Sequence, residues 1–335
     1  MSAKQGEISI CEKNGSFKKS KFRKNPIVIY FETNAGMVIG LAALCIIFSL
    51  ASPQFFSETN LINILRQISM NAIIAFGMTV VLIVGGIDLS VGSVAAFSGC
   101  TAAVLMSGGI PFVLAILVSA ASGIVVGSAN GVVIAKIKMP SFIVTLATMT
   151  IVRGFTYIIT DGKARPIQSD IFDGVSNYRV LGILPLPIII MIVVGLAMSL
   201  TLNSTRFGRN TYAVGGNRDC ANFSGVSVAR TEIMVFAVNG LLAAISGLIF
   251  ASRQGAGSPM VADGAEMDAI AAVVLGGASF SGGIGKIGGT VIGALVFGVL
   301  ANGLNMVQVN YYWQQVIKGA IILVAVYVDL VKKKK

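Results

Sequence analysis

Asp88 is the clearest ionisable residue that the sequence places among apolar residues, and it lies in the glycine-rich segment GGIDLSVGS at 85–93. A charged side chain at membrane depth costs about 2.5–3.5 kcal/mol on insertion scales, so such residues tend to mark pathways for polar solutes. Alternatively, Asp88 or Ser90 caps the helix that follows, while Gly85 and Gly86 supply a permissive backbone. The two roles are compatible, because a helix N-terminus that faces a cavity is itself a polar binding device.

Further polar side chains are scattered through the other apolar segments. Placing the charged side chain of Arg153 in an apolar segment costs free energy unless that side chain faces a polar interior or extends to the membrane surface. Asparagines such as Asn130 and Asn305 more often make hydrogen bonds between helices than contacts to a ligand. Together with the few acidic groups, however, these residues suit an uncharged, hydroxyl-rich substrate better than an anion or a metal ion. The candidate residues for a translocation path are Asn71, Asp88, Ser90, Arg153, Asn239 and Asn302.

Several kinds of chemistry are excluded by what the sequence lacks. It has no histidine, which rules out His-based catalysis and a His proton relay. Its four cysteines show no paired or metal-ligand spacing, so neither a disulfide nor a metal site is predicted. There is no G-x-x-x-x-G-K-[ST] motif, and the G-x-G-x-x-G match at 283–288 lacks a flanking strand. We therefore predict no catalytic residue and no cofactor, and if ATP drives this protein another chain hydrolyses it.

The composition is that of an all-α polytopic membrane protein. Of the 335 residues, 55% are hydrophobic and 12% are charged, 39 are glycine, and the mean hydropathy is +0.85. The net charge of +11 does not indicate nucleic-acid binding, because the basic residues alternate with bilayer-length apolar segments. Two G-x-x-x-G series, at 123–131 and 285–293, predict closely packed helices.

Apolar segments of about twenty residues, the length that crosses a bilayer, recur along the chain. The eighth is short and glycine-rich, which predicts a short, broken or re-entrant helix near 267–281. With the N-terminus inside, eighteen Lys and Arg residues fall on inner segments and five on outer loops, so both termini are predicted to be cytoplasmic. The ten predicted spans are 33–51, 68–86, 90–107, 111–135, 141–160, 180–202, 232–251, 267–281, 287–304 and 314–330.

This topology divides the chain into a basic cytoplasmic segment at 1–32, a transmembrane domain at 33–331 and a basic cytoplasmic tail at 332–335. It also places the loop at 203–230 in the cytoplasm. The outer loop at 161–179 mixes three Asp with three basic residues, and we interpret it as a solvated connector. The alternative is a docking surface for an extracytoplasmic partner.

A short helix is predicted at 218–224 within the cytoplasmic loop. Asn217 is a good N-cap, Asp219 suits the first turn, and Gly225 is placed to end the helix. Two turns are not stable alone in water, because nucleation costs more than so few hydrogen bonds return. We therefore expect this helix to be stabilised by packing against something else.

Three motifs together resemble one known family. They are GGIDLSVGS at 85–93, GRNTYAVGGN at 208–217 and DAIAAVVLGGAS at 268–279, and they are similar to the membrane permease subunits of bacterial monosaccharide ABC importers of the ribose type. The resemblance extends from about residue 35 to the end of the chain. It implies a multi-pass permease domain in the cytoplasmic (inner) membrane, surrounded by lipid, that carries out no chemistry on its substrate.

The resemblance also implies partners. A second copy of a permease subunit completes the pathway, an ABC ATPase that uses ATP and Mg docks on the cytoplasmic side, and a periplasmic or lipid-anchored sugar-binding protein docks outside. Ribose, allose and galactose are all compatible sugars. By resemblance, the residues implied in coupling to the ATPase are Arg209, Tyr212, Gly215, Gly216, Asn217, Ala221, Phe223, Ser224 and Gly225.

Two other classes of transporter remain as alternatives. An ion-coupled secondary sugar transporter would act without an ATPase, but proton relays usually use histidine or mid-membrane carboxylates, which are absent or scarce here. A passive channel would not need a short helix that is stable only when it is docked. Uptake that requires ATP and a co-expressed ATPase distinguishes the importer from both.

Overall fold

The computed structural model describes residues 35–167, 169–180 and 184–333, and in these the chain is almost entirely helical. The predicted segment at 1–32 lies outside the described residues. Four two-residue strands form two small antiparallel pairs. The helices are α1 Ala35–Ala51, α2 Glu58–Ile83, α3 Val91–Ser107, α4 Phe112–Val132, α5 Ser141–Thr160, α6 Asp170–Asn177, α7 Leu186–Ser204, α8 Arg206–Gly216, α9 Arg218–Phe223, α10 Val228–Gln254, α11 Ala265–Leu275, α12 Ile287–Met306 and α13 Tyr311–Lys333; the strands are β1 Arg165–Pro166, β2 Arg179–Val180, β3 Leu184–Pro185 and β4 Ala256–Gly257.

Six helices of the described chain are long and apolar enough to cross a membrane. They are α2, α4 with the π-helical turn Val133–Ile137 that extends it, α5, α7, α10 and α12. Two shorter apolar helices, Gly36–Ala51 and Val91–Ser107, accompany them. The prediction of a polytopic helical membrane protein is therefore confirmed. The eighth predicted span corresponds to α11, which has only 11 residues.

The centre of the bundle is formed by α2 and α10. These two helices contact each other, and α10 also packs against α3 and α4 while α2 packs against α11 and α12. Most of α2 and α10 is buried, whereas α4, α5 and α7 keep wide apolar faces on the outside of the chain. Such faces are suited to lipid or to another membrane subunit, because water would not solvate them.

The glycine series on α4 brings its backbone against that of α10. A methyl group added at Gly123 would lie 2.6 Å from the Ala244 Cβ, and one at Gly131 would lie 2.7 Å from the Ile233 Cα. At Gly127 the added methyl group would lie 3.0 Å from the Phe236 carbonyl carbon. The predicted close packing is confirmed at these positions, since only hydrogen leaves room for such an approach.

Two segments differ from the sequence prediction. Helix α2 begins at Glu58, ten residues before the predicted start at 68, because Ser57 caps it and its first turns carry polar residues that a hydropathy pattern excludes. The predicted solvated connector at 161–179 is instead partly folded. Its helix α6 buries Phe172, whose carbonyl accepts a 2.5 Å hydrogen bond from Ser252 of α10. This segment covers the end of α10.

Candidate functional site

Asp88 lies at the centre of a buried polar cluster. Its Oδ1 accepts hydrogen bonds from the Ser90 backbone N–H at 2.9 Å and from the Ser90 hydroxyl at 2.6 Å. Its Oδ2 accepts a 2.8 Å bond from Asn239 Nδ2 of α10. Gly85 permits the preceding turn by adopting a φ of +77°. Asp88 thus shapes the turn before α3 and also binds that turn to α10.

Two residues outside the predicted candidate set extend the cluster across two more helices. Asn130 of α4 donates from Nδ2 to the Ser90 hydroxyl at 3.1 Å, and Thr148 of α5 donates to Asn130 Oδ1 at 2.6 Å. The Asn239 Oδ1 atom is buried and accepts no hydrogen bond from any described residue. Hydrogen bonds from Asp88 thus connect the turn before α3 with the three helices α4, α5 and α10, and the other members of the cluster are uncharged.

The remaining path candidates lie apart from this cluster. Arg153 of α5 donates to the carbonyl oxygens of Pro259 and Val261 at 2.6 and 3.0 Å, so its charge is used to hold the loop before α11. Asn302 of α12 exchanges two amide hydrogen bonds, of 2.9 and 3.1 Å, with Asn60 of α2. Asn71 lines a separate cavity. The structure therefore brings together three of the six candidates, Asp88, Ser90 and Asn239.

The cytoplasmic loop predicted at 203–230 consists of two helices, of which the sequence analysis identified one. Helix α9 has the predicted cap, since Asn217 Oδ1 accepts a 2.9 Å bond from the Cys220 N–H, and Gly225 follows the helix with a φ of +82°. It ends at Phe223, one residue before the predicted 224. Helix α8 precedes it and was not predicted.

Helix α9 is stabilised by packing within its own chain. Ala221 is only 4% exposed, and its carbonyl accepts a 3.0 Å hydrogen bond from the Val226 N–H. Arg218 reaches across to Glu232 of α10, with N–O distances of 2.7 and 2.8 Å to the two carboxylate oxygens. The support that so short a helix requires is therefore supplied first by α8 and α10.

Helix α8 is fixed against the turns that end α2 and precede α12. The Tyr212 hydroxyl donates to the Gly285 carbonyl at 2.6 Å, and burial raises the pKa of this phenol. Gly215 lies against the Ile83 carbonyl with no room for a side chain. Of the nine predicted coupling residues, Tyr212, Gly215 and Ala221 thus pack within the chain. The exposed ones are Arg209, Gly216, Asn217, Phe223, Ser224 and Gly225.

A cavity of about 370 Å³ connects the two predicted regions. Its wall includes Gly86 and Ile87 next to the Asp88 turn, and Arg218 and Glu232 at the base of α9. Sequence analysis missed the Arg218–Glu232 pair and the Asn130–Thr148 pair. Each of these residues could be recognised in the sequence as a charged or polar residue in or next to an apolar segment. The sequence does not show, however, which other residues its side chain contacts.

Comparisons with known proteins identify the family. The family model described as "Branched-chain amino acid transport system / permease component" matches residues 60–326. The ribose import permease protein RbsC of Haemophilus influenzae is 46% identical over 297 residues, covering 87% of this chain and 91% of that protein. The L-arabinose transport system permease protein AraH of Escherichia coli is 42% identical over 299 residues, covering 89% of this chain and 91% of that protein.

A third relative, the xylose transport system permease protein XylH of Haemophilus influenzae, is 36% identical over 361 residues, covering 89% of this chain and 96% of that protein. No solved structure matches the chain. The predicted family, the multi-pass membrane location and the role as a transport subunit rather than an enzyme are confirmed. The chain belongs to the family of bacterial inner-membrane ABC transport permeases that includes the ribose-type sugar permeases.

Proposed function

We propose that this chain is the membrane-spanning subunit of an ATP-driven importer for a monosaccharide, with pentoses as the first candidates. Its relatives are named as ribose, L-arabinose and xylose permeases, which is the support for that substrate class. In the proposed assembly two copies of the chain form the pathway, each with ten membrane segments and both termini in the cytoplasm. A sugar-binding protein docks outside and an ABC ATPase docks inside.

Phe223 is the observation that carries the coupling part of this proposal. Its side chain is 89% exposed, whereas Ala221 on the same short helix is buried against the chain. An exposed aromatic residue on a helix that is otherwise held firmly in place is typical of a contact with another protein. The ATPase is the partner that this position in the cytoplasmic loop favours, and Arg209, Asn217, Ser224 and Gly225 are exposed nearby on the same loop.

The contacts of α10 supply a route from the proposed docking helix to the buried cluster. Arg218 binds Glu232 near the start of α10, and Asn239, which binds Asp88, follows seven residues later on the same face. Seven residues correspond to about 10 Å along a helix. A displacement of α9 would therefore be transmitted to the Asp88 turn through one continuous helix, and the substrate itself undergoes no chemical change.

A charged substitution at Phe223 tests this function. We expect Phe223→Asp to lower ATP-dependent pentose uptake by about 30-fold or more in vesicles that contain the complete importer, because loss of a central aromatic contact typically costs at least about 2 kcal/mol of binding. Co-purification of the ATPase should fall in parallel. Asn222→Asp is the matched control, since it adds the same charge at the preceding exposed position and should retain uptake.

Normal uptake and normal ATPase co-purification by the Phe223→Asp variant would refute the coupling role. Uptake that an ion gradient drives in vesicles without ATP or an ATPase would instead favour the alternative, an ion-coupled secondary transporter.

A further inference from the structure

A second cavity, of about 310 Å³, lies between three helices at some distance from the Asp88 cluster. We call it the Asn71 cavity. Helix α2 contributes residues four positions apart, α10 contributes residues three positions apart, and the loop before α11 and α11 itself complete the wall. Residues at these spacings share one helix face. The polar and aromatic lining residues are Gln67, Asn71, Phe250, Arg253, Asp263 and Asp268.

Most polar groups of this cavity have no partner within the described part of the chain. The side chains of Gln67, Asn71, Arg253 and Asp263 make neither a hydrogen bond nor an ion pair with another described residue. Asp268 differs, because its Oδ2 accepts a 2.8 Å bond from Lys318 Nζ of α13. Gln67 and Asn71 are half-buried, whereas Arg253 and Asp263 are exposed and can bind water. The two half-buried amides that converge on one concave site are therefore the groups that a polar ligand would satisfy.

The chemistry of the lining selects a neutral polyhydroxylated ligand. The amides of Gln67 and Asn71 can each donate and accept hydrogen bonds, as a hydroxyl group does. The lining carries one basic side chain, Arg253, and two carboxylates, Asp263 and Asp268. Lys318 pairs with Asp268, so the lining together with Lys318 carries no formal net charge and selects neither an anion nor a cation. The Phe250 ring offers an apolar surface for the C–H groups of a sugar. A volume of about 310 Å³ is at the small end of ligand sites, as suits a single sugar ring.

The position of the Asn71 cavity along α10 agrees with entry of a sugar from outside. Phe250 lies eighteen residues after Glu232, which corresponds to about 27 Å along the helix axis. Glu232 is the residue that holds the proposed ATPase-docking helix. The cavity therefore lies at the opposite end of α10 from that helix.

We propose that the Asn71 cavity is a monosaccharide-binding site of the permease, at which an incoming sugar is held before it reaches the Asp88 cluster. This inference rests on the proposed import function and adds the place where the substrate binds. The amides of Gln67 and Asn71 bind sugar hydroxyls, and Arg253 and Asp263 close the site from the other two sides.

Uptake by the complete importer provides the first test. In vesicles with the ATPase and saturating binding protein, Asn71→Ala and Gln67→Ala should each lower the maximal rate of pentose uptake by about three- to tenfold, the effect of losing one or two hydrogen bonds to the substrate. Gln54→Ala, which removes an exposed amide outside the cavity, should leave the rate unchanged. Membrane levels of each variant are compared with those of the unsubstituted chain.

A second test measures whether a sugar protects an introduced cysteine from chemical labelling, because a misfolded variant would not show protection that depends on the sugar. The Asn71→Cys substitution should become labelled by a membrane-impermeant thiol reagent applied from outside. D-ribose, L-arabinose and D-xylose are each tested together with the binding protein. The sugar that the importer transports should slow the labelling of the introduced cysteine. The matched Gln54→Cys substitution should be labelled at the same rate with and without sugar.

Two negative results have different meanings. If the unsubstituted importer transports a pentose, but the cavity variants transport it at the rate of Gln54→Ala and no sugar protects Asn71→Cys, the Asn71 cavity is not the binding site and the proposed function stands. If the unsubstituted importer transports neither the three pentoses nor allose or galactose with ATP, the proposed function fails, and this inference fails with it.

Discussion

Gly215 offers the sharpest test of how α8 and α9 are attached to the membrane bundle. A methyl group at this position would lie 2.7 Å from the Gly283 nitrogen and 2.8 Å from the Ile83 carbonyl carbon, and closer still to the Ile83 oxygen. All three are backbone atoms, so no side-chain rotation relieves the overlap. The Gly215→Ala substitution must therefore separate α8 from the turns that end α2 and precede α12.

The cost of this separation follows from the contacts that it breaks. Overpacking a tightly packed site costs about 1–3 kcal/mol. The Gly283 N–H donates a 2.8 Å bond to the Ile83 carbonyl, and Tyr212 donates a 2.6 Å bond to the Gly285 carbonyl. Each hydrogen bond that weakens adds about 1 kcal/mol. We therefore expect Gly215→Ala to destabilise the protein by about 2–5 kcal/mol, and to lower the unfolding midpoint by roughly 3–7 °C.

The neighbouring residue supplies a matched control. A methyl group at Gly216 would meet nothing within 4 Å, so Gly216→Ala should leave the midpoint unchanged or raise it slightly. Thermal unfolding of the detergent-purified variants measures stability, and ATP-dependent uptake measures whether the helices still transmit motion. Equal midpoints and equal uptake for the two variants would show that the contact between Gly215 and Ile83 is not a close one.

Two further predictions concern pairs of residues. Arg218→Ala leaves the Glu232 carboxylate buried without its partner, and should destabilise the protein by about 1–3 kcal/mol in thermal unfolding; adding Glu232→Gln should restore part of the loss, and no restoration would contradict the pairing. Asn302→Ala removes two amide hydrogen bonds and should cost about 1–2 kcal/mol, whereas Asn60→Ala also removes the 2.8 Å bond that Asn60 Nδ2 donates to the Phe55 carbonyl and should cost about 1 kcal/mol more. The double variant should cost little more than Asn60→Ala alone, and full additivity would contradict a direct interaction.

In the loop at 203–230, the sequence predicted those features that depend only on neighbouring residues. Asn217, Asp219 and Gly225 specify a helix start, first turn and stop within nine residues, and α9 is found there. Helix α8 was missed because its polar composition and terminal glycines resemble a loop. A capping signal was present nonetheless, since the Thr205 hydroxyl accepts a hydrogen bond from the Gly208 N–H at 3.3 Å.

The polar cluster could be predicted only in part. Asp88 and Asn239 were both recognisable as polar residues in apolar surroundings, but they are 151 residues apart in the sequence. Nothing in a single sequence pairs two such residues, because their contact depends on how α3 and α10 pack. The same limit explains why Arg153 and Asn302 were grouped with them, although each satisfies its hydrogen bonds elsewhere.

The close approach of α4 and α10 restricts how the bundle can move. Gly123, Gly127 and Gly131 leave no gap between the two backbones. If either helix turned about its own axis, a bulkier residue would replace a glycine at the contact and collide with the opposite backbone. Sliding by a fraction of a turn would have the same effect. Turning or sliding of α4 against α10 is therefore blocked, so a rearrangement during a transport cycle that keeps this contact carries the two helices together.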